Sequence, residues 1–69
     1  MGILVPHDAL TRIQIEYLES PGLSLTSEQV RWLCDLSETI CERALTMLTR
    51  SGFLLKSLDG SFRRPASRP

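Results

Sequence analysis

The sequence predicts an all-α core with a small β-hairpin attached, on three observations. An apolar rhythm of helical spacing runs over Leu10–Leu18. Two more such rhythms flank the break "CDLSE" at Cys34–Glu38. The pattern then changes at "FLLKSLDGSFRR", Phe53–Arg64, to short alternating runs about an Asp59-Gly60 pair.

Length and composition set the scale. A chain of 69 residues supports one core, since domains of this size bury only about 60% of the surface that their unfolded chains expose. The expected domain covers residues 8–64, with 65–69, "PASRP", as a flexible C-terminal tail lacking any core pattern. Apolar residues at 42% and charged residues at 23% fit a packed fold rather than a disordered tail. No run approaches the roughly 18 apolar residues of a membrane span. The start "MGILVPHDAL" has too short an apolar part, with no basic residues before it, for a secretory signal. The expected compartment is the cytoplasm.

In the first predicted helix Asp8 is the expected cap, Leu10, Ile13, Tyr17 and Leu18 form the buried stripe, and "SPG" at Ser20–Gly22 ends it. Thr26 followed by Gln29 is a capping-box spacing, in which each side chain satisfies an amide near the start of the other's turn. The second helix places Val30, Leu33 and Cys34 on one face and ends in a turn at Asp35 and Leu36. Ser37 caps the third helix, with Glu38 in its first turn where the dipole favours an anion. That helix buries Cys41, Ala44, Leu45 and Leu48, flanked by Ile40 and Met47. It presents Thr39, Glu42, Arg43, Thr46 and Arg50 on the opposite face. Gly52 supplies the left-handed residue that closes it. A two-residue Asp59-Gly60 turn sets Leu58 opposite Ser61, Ser57 opposite Phe62 and Leu55 opposite Arg64. In that register Leu55 and Phe62 face inward while Lys56 and Arg63 share the outward face.

Cys34 and Cys41 read as small core residues, a bridge between them being disfavoured in a reducing compartment. With His7 distant near one end, they fall short of the ligands that a zinc site needs, so no metal or other cofactor is expected. No pair of carboxylates, serine-histidine pair or glycine-rich phosphate loop accompanies the apolar rhythms, and the expectation is a protein without enzymatic activity. The net charge is zero but unevenly dealt. Up to Glu38 six acids face two arginines, whereas from Thr39 onward Arg43, Arg50, Lys56, Arg63, Arg64 and Arg68 face only Glu42 and Asp59. Such asymmetry steers a polyanion toward one end of a molecule, and it also arises in basic tails for solubility alone.

The segment Leu25–Arg64, "LTSEQVRWLCDLSETICERALTMLTRSGFLLKSLDGSFRR", resembles the winged helix-turn-helix domain of bacterial transcription regulators. Val30 and Cys34 match the apolar positions of the first motif helix, Leu36 the apolar turn residue, Cys41 the apolar position early in the recognition helix, and "RSGFL" the exit into the wing. Two positions depart from the pattern: Arg31 stands where alanine is common at the helix crossing, and Asp35 where glycine is common in the turn. The resemblance implies an all-α core with a small β-hairpin wing, a third helix lying in the major groove of double-stranded DNA, and a wing touching an adjacent groove or backbone.

The candidate DNA-binding residues are then Ser37, Thr39, Glu42, Arg43, Thr46, Arg50, Lys56, Arg63 and Arg64. Arg43 can donate two parallel hydrogen bonds to guanine or to a phosphate, Thr39 and Thr46 can serve phosphate or a base edge, and Glu42 can accept from cytosine while repelling phosphate. Ser37 lies where helix-start amides attract a phosphate. Lys56 and Arg63, side by side on the outward face, would hold an anion between them, with Arg64 and Arg68 extending the patch. The same residues equally suit a solvated surface. A winged-helix module that contacts a protein is the alternative reading, with Trp32 or the apolar "GILV" as the contact, and either could join two copies as a homodimer. A small structural or regulatory peptide is the third reading. One continuous positive surface across Arg43, Lys56 and Arg63 favours DNA; a surface divided by acids, or an exposed Trp32, favours a protein partner.

Overall fold

The structure, a computed structural model, describes residues 6–65. Three helices and a three-stranded antiparallel sheet follow in the order α1 (His7–Glu19), β1 (Ser24–Thr26), α2 (Ser27–Cys34), α3 (Glu38–Arg50), β2 (Leu55–Lys56) and β3 (Ser61–Arg63). The tail residues 66–69, Arg68 among them, and the apolar "GILV" lie outside the described residues. Among the described residues no helix is long and apolar enough to cross a membrane.

The core is the sum of the helical stripes. Ile13 and Tyr17 from α1, Val30 and Cys34 from α2, and Cys41, Ala44, Leu45 and Leu48 from α3 are buried together with Leu54 and Phe62 from the sheet region. Leu10, Leu23, Leu25, Leu36 and Phe53 pack around them. Two stripe positions are corrected: Leu18 and Leu33 are 58% and 44% exposed, each at the edge of its helix's apolar arc. Ala9 takes an inward place on α1 instead, one turn before Ile13.

The caps follow local chemistry. The Thr26 hydroxyl accepts from the Gln29 amide at 3.2 Å while the Gln29 side chain accepts from the Thr26 amide at 2.9 Å, a complete capping box. Ser37 caps α3 by accepting from the Ile40 amide at 3.2 Å. Asp8 does not cap α1. The helix begins one residue earlier, at His7 after Pro6, so Asp8 sits inside the first turn, where its charge favours the dipole without a side-chain cap. At the other end of α3, the Gly52 amide donates to the Thr49 carbonyl and the Phe53 amide to the Leu48 carbonyl. This is a Schellman closure, and it requires the positive φ of 90° found at Gly52.

The sheet differs from the expected hairpin in two ways. It gains a third strand, because Leu23 and Leu25 alternate with Ser24 and Thr26, and the segment pairs with β3 in the register Ser24–Arg63, Leu25–Phe62 and Thr26–Ser61. The strand order β1-β3-β2 makes β3 the centre.

The hairpin register is also shifted by one residue, with Leu55 opposite Arg63 and Lys56 opposite Phe62. A two-residue turn of the expected kind needs positive φ at both positions, yet only Gly60, at 91°, has it. The Asp59 carboxylate instead accepts from the Ser61 amide and hydroxyl at 3.0 and 2.7 Å. The turn becomes a three-residue Leu58-Asp59-Gly60 loop closed by the Ser57 amide on the Ser61 carbonyl. A one-residue slip exchanges the faces of one strand relative to the other. Leu54 therefore reaches the core in place of Leu55, which is 44% exposed, and Lys56 and Arg63 lie on opposite faces of the hairpin rather than side by side.

Candidate nucleic-acid interface

The α2–α3 pair is set by its turn. Asp35 adopts the left-handed conformation, φ 54° and ψ 51°, which aspartate tolerates better than most side chains. The amides of Asp35 and Leu36 both donate to the Arg31 carbonyl, closing α2 before Ser37 opens α3. At the approach of the two helices the Cys41 thiol donates to the Ser27 carbonyl at 3.3 Å. Arg31 lines a groove of about 250 Å³ between α2 and α3, together with Ser27, Glu28, Glu38, Cys41 and Glu42.

On α3, Thr39, Glu42, Arg43, Thr46 and Arg50 are all exposed, forming the outward face that the sequence pattern requires. Ser37 is exposed at the helix start but its hydroxyl is engaged as the cap. A second groove, about 380 Å³, separates α3 from the hairpin and is lined by Ser27, Glu42, Leu45, Thr46, Lys56, Gly60 and Phe62. The structure thus brings Thr46, Glu42 and Lys56 around one cleft. The Lys56 ammonium lies 5.7 Å from the Phe62 ring centroid, on the α3 side of the sheet.

Arg63 belongs to the other side, where its Nε donates to the Ser57 hydroxyl at 3.2 Å. The anion site expected between Lys56 and Arg63 does not form, for the register reason given above. Arg64 is half-buried: its guanidinium lies 4.0 Å from the Phe53 ring centroid and donates to the Phe53 carbonyl, tying the end of β3 to the exit of α3. The continuous positive surface across Arg43, Lys56 and Arg63 that would favour DNA is not formed: Lys56 and Arg63 lie on opposite faces of the hairpin, and acids divide the charges on and beside α3. Glu38 and Glu42 share the first groove with Glu28, while Arg43 and Arg50 lie farther along the helix.

Trp32 is 75% exposed on α2, with the Arg31 guanidinium 5.8 Å from its ring centroid. Both cysteines are free and buried. Burial pushes the thiol of Cys34 up and that of Cys41 up to about 11. Among the described residues no group of three or more His, Cys, Asp and Glu side chains is placed to hold a metal ion.

Sequence patterning located the outward face of α3 but missed two features of this surface: the cleft shared by Thr46 and Lys56, and the solvent-facing Leu58 at the hairpin tip. The signal that carries both is the single glycine of the Asp59-Gly60 turn, which sets the hairpin register. No family model, curated protein or solved structure matches the chain.

Proposed function

We propose that the chain is a winged helix-turn-helix module that binds double-stranded DNA as a transcriptional regulator or accessory factor, without catalytic activity. The observation that carries this reading is the pairing of a capped α2 and α3 through the left-handed Asp35, with the polar face of α3 open beside a cleft containing Lys56. In this reading α3 enters the major groove. Arg43 reads guanine or grips a phosphate, Thr39 and Thr46 bond to phosphate or base edges, and Arg50 contacts the backbone. Lys56 serves a phosphate from the cleft, Arg63 serves one from the outer side of the wing, and Ser37 offers the start of α3. Glu42 selects against most bases and lowers non-specific affinity. Arg64 contributes by holding the wing against the end of α3. The test is a salt-dependent titration of duplex DNA. Lys56→Gln is expected to weaken all sequences alike and reduce the logarithmic salt slope by about 1. Arg43→Ala is expected to lose about 1 to 3 kcal/mol on a preferred sequence and less on random DNA.

A second reading, a protein-interaction module, is favoured by the exposure of Trp32 and by the acids that divide the α3 surface. In it Trp32 and the cation above it form the anchor, for another protein or a second copy of this chain. A two-fold pair that also binds DNA would set its α3 helices about 34 to 36 Å apart, one turn of the duplex. Sedimentation that shows self-association reversed by Trp32→Ala supports the pair; a strict monomer at tens of micromolar removes it.

A further inference from the structure

We propose that Asp59-Gly60 is a site of spontaneous backbone modification, from aspartate to isoaspartate, which the folded hairpin suppresses through the Ser61 hydroxyl. The site is the same whether the wing meets DNA or a protein. In an aspartate-glycine pair the glycine amide nitrogen attacks the carboxyl carbon before it. The Gly60 N–Asp59 Cγ bond forms, the Cγ–O bond breaks, and the hydroxyl leaves with the amide proton as water. A second water opens the cyclic imide at either carbonyl, restoring aspartate or leaving isoaspartate, whose backbone runs through the former side chain. Glycine suits the attack because it has no Cβ to obstruct it. Asp59 is exposed, and no atom lies within 4 Å of the place where a Cβ on Gly60 would stand, so nothing packs over the pair.

The native turn restrains both reacting groups by hydrogen bonds instead. Attack needs the neutral carboxyl, yet the Asp59 carboxylate accepts from the Ser61 amide at 3.0 Å and from the Ser61 hydroxyl at 2.7 Å. These bonds turn it past Gly60 toward the following residue, favour its ionised form and hold it below the usual carboxylate range. The nitrogen must shed its proton, yet the Gly60 amide donates that proton to the Ser57 carbonyl at 3.0 Å. Ser61 is the residue that ties the turn to the fold. At 8% exposure it is the one polar residue in the buried set among the described residues, and its hydroxyl donates to Asp59 while accepting from the Ser24 hydroxyl on β1 at 3.1 Å. Isoaspartate adds a methylene to the backbone and moves the carboxylate away from Ser61. The register Leu55–Arg63 and Lys56–Phe62, which depends on that turn, is then lost. Modification therefore follows opening of the hairpin and runs fastest in the unfolded chain.

The test incubates the full chain near neutral pH, folded in buffer and unfolded in guanidinium chloride. Isoaspartate at Asp59 is followed by proteolysis and chromatographic separation of the equal-mass peptides. The unfolded chain should accumulate it at least roughly tenfold faster than the folded one, since only the opened turn reacts. Ser61→Ala keeps the amide contact but loses the hydroxyl, and should speed the reaction of the folded chain several-fold. Ser61→Thr keeps the hydroxyl and should react like the wild type. Circular dichroism checks that each variant is folded, and the wild-type comparison decides the matter by itself where Ser61→Ala is not. No isoaspartate in the unfolded chain, or equal rates in the folded and unfolded chains, overturns the protected site. A folded Ser61→Ala chain that reacts at the wild-type rate overturns the role of the hydroxyl.

Discussion

The Tyr17 hydroxyl on α1 donates a 2.7 Å hydrogen bond to the backbone carbonyl of Phe62 on β3, joining residues 45 positions apart inside the core. This bond anchors the central strand of the sheet to the first helix and so fixes the wing relative to α3, against which Phe62 also packs. Tyr17→Phe keeps the ring and leaves the Phe62 carbonyl without this donor. It is expected to lower the unfolding free energy by about 1 to 3 kcal/mol in a urea titration. A change near zero would mean that the strand is held by its ladder and apolar contacts alone.

Stability should fall on the alkaline side. Burial raises the Cys41 thiol from 9.0 to about 11, raises Cys34 as well, and raises the Tyr17 hydroxyl from 10.0 to about 12. Each group is protonated in the folded state over a range where the unfolded chain has already ionised. Their contribution is complete below about pH 9 and is lost as pH rises through about 11 and then about 12. A raised pKa is worth about 1.4 kcal/mol per unit, so the rise of Cys41 from 9.0 to about 11 alone gives a loss on the order of 3 kcal/mol. Urea midpoints measured from neutral pH upward should be level to about pH 9 and then decline, and Cys41→Ala should remove the first part of the decline. Native thiol labelling near neutral pH should be slow at both cysteines; rapid labelling of both contradicts their burial.

Glu42 supplies an opposing test on α3, because it lines both grooves and faces any approaching phosphate. Glu42→Gln is expected to raise affinity for random duplexes several-fold at low salt, an advantage that shrinks as salt screens the charge. Weaker binding to every duplex would assign the carboxylate a positioning role toward a base or a neighbouring side chain.

What the sequence makes legible is local. The Thr26–Gln29 box, the Ser37 cap, the glycine closure at Gly52 and the stripe Cys41–Ala44–Leu45–Leu48 each depend on residues within a few positions of one another, and each is found. What is not legible depends on contacts across the chain. β1 is only three residues long and exists because β3 is beside it. The hairpin register turned on whether Asp59 would take positive φ or spend its carboxylate on Ser61, a competition that alternation alone does not decide. The site inherits the same limit. The outward face of α3 follows from its own period, whereas the separation of Lys56 from Arg63 follows from the register.

The most direct measurement is a fluorescence-anisotropy titration of mixed-sequence duplex DNA with the full chain, begun at low salt and repeated as salt is raised. If α3 and the wing grip the duplex, binding appears at low salt and its logarithm falls linearly with the logarithm of salt concentration, by about 0.9 for each phosphate neutralised. No binding at protein concentrations of about 100 micromolar, the weak end of non-specific affinity, with circular dichroism showing the helices intact, contradicts the account.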